Sequence, residues 1–82
     1  MNKETVIKKI KEAGYEAGEW IHPSTGKLRI YINGVEAGKR NKRAKFYFEE
    51  SPDWTLKVSA DARWEWLQKT FAPSLQSRIL EN

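Results

Sequence analysis

Hydrophobic residues recur with two different periods along this chain, and the change of period divides it into elements. Over residues 3–13, KETVIKKIKEA, Val6, Ile7, Ile10 and Ala13 fall on one side while Lys8, Lys9, Lys11 and Glu12 lie around the other, which predicts an amphipathic helix. Asn2 is suited to cap its start and Gly14 to end it. From there the period drops to that of a strand. EWIH alternates, PSTG supplies turn residues, and KLRIYI sends Leu28, Ile30 and Ile32 one way and Lys27, Arg29 and Tyr31 the other. Asn33-Gly34 is the signal of a tight hairpin, with Val35 and Ala37 leaving the return point open. AKFYFEE then sets Ala44, Phe46 and Phe48 against Lys45, Tyr47 and Glu49. After the SPD turn, WTLKVSA sets Trp54, Leu56, Val58 and Ala60 against Thr55, Lys57 and Ser59.

The helical period returns at the C-terminal end. Asp61 is a candidate N-cap for ARWEWLQKTFA, in which Trp64, Leu67 and Phe71 share a face and Trp66 is turned aside. Pro73 ends or kinks that helix, and because proline suits a first helical position, PSLQSRILEN is expected to form a short final helix packing Leu75 and Ile79. The predicted class is α+β: an N-terminal helix, a three- to four-stranded antiparallel meander sheet, a C-terminal helix and a short final helix. The expected architecture is a two-layer sandwich with both main helices on one face of the sheet. Residues 1–82 are expected to form a single compact domain, with no linker, internal repeat or low-complexity segment.

Composition narrows the chemistry. At 82 residues one core buries little more than about 60% of the surface the unfolded chain exposes, so stability is marginal and there is room for one function. There is no cysteine, which excludes thiol chemistry, disulfides and thiolate zinc sites, and His22 is the single histidine. No secretory signal or membrane-length apolar run is seen, so a cytoplasmic protein without a membrane partner is expected. The net charge is +4. It is unevenly spread, with eleven Lys or Arg against five Glu in residues 1–45, and four against six Asp or Glu in residues 46–82. That asymmetry points to an acidic partner, nucleic acid first among them, although small domains also carry charge for solubility.

Two features converge on that partner. GKRNKRAK, residues 38–45, holds five cations in eight positions: Lys39, Arg40, Lys42, Arg43 and Lys45. If helices cover the face carrying Ile21, Leu28, Ile30, Ile32, Phe46, Phe48, Leu56 and Val58, the pleat sends Trp20, His22, Lys27, Arg29, Tyr31, Lys45, Tyr47, Thr55 and Lys57 to the other. Rings interleaved with cations on an open sheet suit single-stranded nucleic acid, the bases stacking on rings and the cations following phosphates. The expected function is therefore a small non-enzymatic domain binding single-stranded or structured RNA or DNA. Arg29, Tyr31, Lys39, Arg40, Lys42, Arg43, Lys45, Tyr47, Lys57 and Trp20 are its contact residues. The same aromatic residues also stabilise sheets as cross-strand pairs without any ligand. A second class of function is a compact protein-binding module, such as an inhibitor or accessory factor of a phage or mobile element. It would meet an acidic protein surface with Trp20, Tyr31, Tyr47 and Trp66 as anchors.

Catalytic signals are weak, and neither a cofactor nor a metal is expected. The dense carboxylates Glu49, Glu50, Asp53 and Asp61 read as a polar turn and a helix cap, and no phosphate loop or nucleophile elbow is present. In element order, with KEAGY closing the first helix on a Gly-aromatic step, the chain resembles the HicA-type toxins that cleave mRNA. The order of elements is also similar to that of double-stranded RNA-binding domains. The first resemblance implies a ribonuclease using His22, but GEWIHP stands where that family carries Gly-Ser-His. SADARWEW replaces the Lys-Lys helix start of the second.

Overall fold

The structure is a computed structural model that describes residues 1–35, 44–59 and 67–81. Helix α1, Lys3–Glu12, begins where the Asn2 side chain accepts hydrogen bonds from the Thr5 N–H at 2.9 Å and the Thr5 hydroxyl at 2.8 Å. The chain leaves the helix at Gly14, whose φ of +93° is a conformation that glycine adopts without a Cβ penalty. Four strands follow: β1 Glu16–Ile21, β2 Leu28–Asn33, β3 Lys45–Glu49 and β4 Leu56–Ser59. They form one antiparallel sheet in the order β1-β2-β3-β4, so the sheet is a meander. A π-helical stretch, Leu67–Phe71, runs directly into α2, Ala72–Leu80. The α+β class and its order of elements are those the periods predict.

The core is the meeting of two apolar faces. Val6 and Ile10 of α1, with Leu75 and Ile79 of α2, pack on Ile30, Ile32, Phe46, Phe48 and Leu56 of the sheet. Phe46 and Phe48 are fully buried, each contributing about 1.5–3 kcal/mol through the area it removes from water. Polar ties fix the layers. The Lys9 ammonium donates to the Leu80 carbonyl at 3.1 Å, meeting a free acceptor at the C-terminal end of α2. Gln76 of α2 accepts from the Leu56 N–H at 3.2 Å, satisfying a donor on strand β4. Lys3 pairs with Glu19 at 3.1 Å, joining α1 to β1, and Glu19 raises the ammonium's pKa by hydrogen bond and charge.

The structure departs from the sequence reading at three places. Asn33-Gly34 does not close a two-residue hairpin: β2 pairs with β3 from Ile32↔Phe46 to Arg29↔Glu49, so the connection spans the residues between Asn33 and Lys45. Gly34 still turns the chain, at φ +95°. Trp54 lies ahead of β4 rather than in it, at φ +48°, with its N–H donating to the Ser51 hydroxyl at 2.8 Å and its indole N–H to the Met1 carbonyl at 3.0 Å. Tertiary burial of the large ring holds a backbone conformation that strand propensity does not favour. Ile21, assigned to the core face, is 63% exposed, because it ends an edge strand. Pro73 interrupts regular winding as expected: it has no N–H to give the Lys69 carbonyl and its ring crowds that oxygen, and the π-helical stretch lies just upstream. Ala60, Asp61, Trp64 and Trp66 lie outside the described residues.

Candidate nucleic-acid interface

The strand register sets out the second face of the sheet in rows. Trp20 stands opposite Arg29, and Arg29 opposite Glu49. In the next row Gly18 stands opposite Tyr31, Tyr31 opposite Tyr47, and Tyr47 opposite Lys57. Lys45, opposite Ser59, lies on the same side. Six of the expected contact residues, Trp20, Arg29, Tyr31, Lys45, Tyr47 and Lys57, therefore share the face turned away from α1 and α2. The other four, Lys39, Arg40, Lys42 and Arg43, lie outside the described residues, in the connection from β2 to β3.

The side chains of this face are tied to one another. The Arg29 guanidinium lies over the Tyr47 ring, 4.5 Å from its centroid, and 5.5 Å from that of Trp20. It donates to the Tyr31 hydroxyl at 3.4 Å, a bond that raises its pKa further above the ordinary arginine value. Its Nε is buried without a partner among the described residues. The rings touch edge to face or tilted: Tyr31 and Tyr47 have centroids 5.2 Å apart, Trp20 and Tyr31 6.3 Å, and Trp20 and His22 5.4 Å. These are the favoured geometries of aromatic pairs, and they leave the rings unequal. Tyr47 is only 8% exposed, with Arg29 on its face, whereas Trp20 is 45% exposed. The expected three-ring surface thus reduces to Trp20 with the half-buried Tyr31. Tyr47 serves as the support on which Arg29 rests.

Glu49 is the residue that the sequence reading left out of this face. It lies 3.4 Å from the Lys57 ammonium and 3.7 Å from that of Lys27. Burial works against its charge, but the bond and charge of Lys57, with the charges of Lys27 and Arg29, outweigh burial and hold its carboxyl below the usual value. Its place was available from the alternation of β3, which puts Glu49 in phase with Lys45 and Tyr47. Lys27, Arg29 and Lys57 thus surround one central carboxylate, while Lys45 stands farther along β3, opposite Ser59, and Glu16 lies opposite Asn33 at the end of the face. The balance of this group of charges is cationic.

His22 organises the turn between β1 and β2. Its Nδ1 accepts from the Ser24 N–H at 3.1 Å and the Thr25 N–H at 3.3 Å, and its carbonyl accepts from Gly26 at 2.8 Å. Of the carboxylates in the EESPD turn, Glu50 accepts from the Leu28 N–H at 3.3 Å and Glu49 is held in its ion pairs. Among the described residues no three His, Asp or Glu side chains gather to hold a metal ion, and no helix is long and apolar enough to cross a membrane.

No family model, curated protein or solved structure matches this chain.

Proposed function

We propose that this chain is a small, non-catalytic nucleic-acid-binding domain that takes single-stranded or structured RNA or DNA across its open sheet face. The observation that carries the reading is the row Trp20, Arg29, Glu49 lying beside the row Gly18, Tyr31, Tyr47, Lys57. A half-exposed indole and a stacked guanidinium there adjoin exposed lysines. In this reading Trp20 and Tyr31 receive bases, and Arg29, Lys45 and Lys57 meet phosphates. The run Lys39, Arg40, Lys42 and Arg43 extends the phosphate contacts from the start of β3. Such contacts supply affinity and position without reading sequence. A titration of the tryptophan fluorescence with single-stranded and duplex RNA and DNA tests the reading. Binding is expected at about 50 mM salt, with log K falling against log salt at a slope of about −2 to −4, for three to five neutralised phosphates. Absence of binding to all four ligands at that salt rejects it.

One observation favours a second reading, a protein-binding module. Strand β1 is an edge of the sheet, and its last two residues, Trp20 and Ile21, are both exposed, one on each face. Edge strands with exposed apolar residues accept pairing from another chain. Purification of the tagged protein from its native cells with nuclease treatment separates the two: a stoichiometric protein partner that survives nuclease favours the module.

A further inference from the structure

Resting on the nucleic-acid reading, the geometry points to a specific seat for one unpaired nucleobase: the notch above Gly18, walled by Trp20 and Tyr31, with Asn33 reading the base edge and Lys45 meeting its phosphate. Gly18 is the only glycine inside a described strand, and it faces the open side of the sheet opposite Tyr31. A glycine within a strand gives up packing and conformational entropy, and it marks a place where something approaches the backbone closely. The backbone at Gly18 is not left-handed, so its φ does not demand glycine. The space above it does the explaining. A Cβ built there would lie 3.1 Å from the Asn33 Nδ2 and 4.0 Å from the Tyr31 Cβ. The carboxamide of Asn33 thus reaches across the strand into room that only glycine leaves.

That room is part of an open depression of about 370 Å³ lined by Gly18, Glu19, Trp20, Tyr31, Asn33 and Lys45. Its contents match what an unpaired nucleotide offers. The exposed indole of Trp20 presents a ring to a base, a carboxamide presents a donor and an acceptor together, as base edges do, and Lys45 adds a cation to the lining. A duplex cannot use the notch, because its bases are stacked and their faces hidden. The seat therefore commits the domain to single strands or unpaired loops, of RNA or DNA.

The test compares wild type with Gly18→Val, which fills the notch, and Asn33→Ala, which removes the reading group without adding bulk. Labelled hexamers of rA, rU, dA and dT and a short duplex are titrated at about 50 mM salt, where electrostatic binding is strong. Gly18→Val is expected to weaken single-strand binding at least about fivefold, the loss of one stacked base, while duplex affinity and the salt slope stay unchanged. Asn33→Ala is expected to reduce the differences among homopolymers. Single-strand binding by Gly18→Val equal to wild type overturns the seat, as does an equal loss on single strands and duplex by a variant that melts like wild type. If Gly18→Val lowers the melting temperature, Asn33→Ala decides: unchanged discrimination among homopolymers rejects the seat. A wild type that binds no oligonucleotide rejects both this seat and the reading it rests on. A wild type that binds while the variants behave identically rejects the seat alone.

Discussion

Strand β2 serves two faces of one sheet, and the two are held together by different physics. Ile30 and Ile32 point into a layer of aliphatic and phenyl side chains closed by α1 and α2, where every contact is non-directional and removal from water is the driving force. Arg29 and Tyr31 point the other way, into a web of one guanidinium, three rings and a carboxylate, joined by a hydrogen bond, cation–π contacts and ion pairs. The first face spends its residues on stability. The second arranges directional groups in a layer that no described helix covers, and such a surface is organised before any ligand arrives. The difference teaches that exposure alone does not tell the two faces apart. Tyr47 is nearly as buried as the core, yet its role is to hold Arg29 in place.

The strongest way to break the comparison is to attack the apolar face. Phe48→Ala is expected to cost about 3–5 kcal/mol, a large share of what a domain of this size holds. Urea denaturation followed by circular dichroism reads the loss. A cost under about 1 kcal/mol would mean that the helices do not close on the sheet as described. The opposite face should respond in the opposite currency. Trp20→Ala is expected to leave stability within about 1 kcal/mol, the scale of a cross-strand pair, while weakening single-strand binding about fivefold to a hundredfold. Equal damage to stability and binding would erase the distinction between the faces.

How far the faces could be read in advance follows the range of the forces that make them. The caps of α1, the alternation of β2 and β3 and the apolar set on α1 and α2 are local, and the sequence displays them directly. That alternation also assigned Trp20, Arg29, Tyr31, Lys45, Tyr47 and Lys57 correctly to one side. What alternation does not carry is depth. Tyr47 becomes buried because Arg29, two strand positions away in space, folds over it, and Ile21 becomes exposed because no described strand lies beyond β1. The hairpin signal of Asn33-Gly34 lost to register: pairing Ile32 with Phe46 keeps the apolar residues of both strands on the core side, which a shift by one residue would reverse. The positive φ at Trp54 is likewise a cost accepted for burying a large ring.

Two smaller effects sharpen the contrast. Glu49→Gln should free Lys27 and Lys57 from their shared carboxylate and tighten nucleic-acid binding by up to about fivefold. The same change has a pH signature. Despite its burial, Glu49 is held below the usual carboxyl value by Lys57 first, then Lys27 and Arg29. Its contribution to stability is therefore present above the unfolded carboxyl value and fades as pH falls through the lower folded one. Thermal melts across the acid range should show a shallower loss in Glu49→Gln than in wild type, and identical acid limbs would contradict the ion-pair cluster. The smallest expected effect is Ile21→Ser, within about 0.5 kcal/mol of wild type by urea denaturation, as befits an exposed edge residue. A larger loss would show that β1 is covered in solution.

The central claim is that one face builds the fold and the other receives a nucleic acid, and amide chemical-shift mapping with a single-stranded hexamer tests it most directly. The account predicts shifts at Gly18, Trp20, Arg29, Tyr31, Asn33, Lys45 and Lys57 and at the Trp20 indole N–H, with Val6, Ile10, Leu75 and Ile79 unmoved. Shifts centred on α1 and α2, or no shifts at about 50 mM salt, where electrostatic binding is strong, would contradict it.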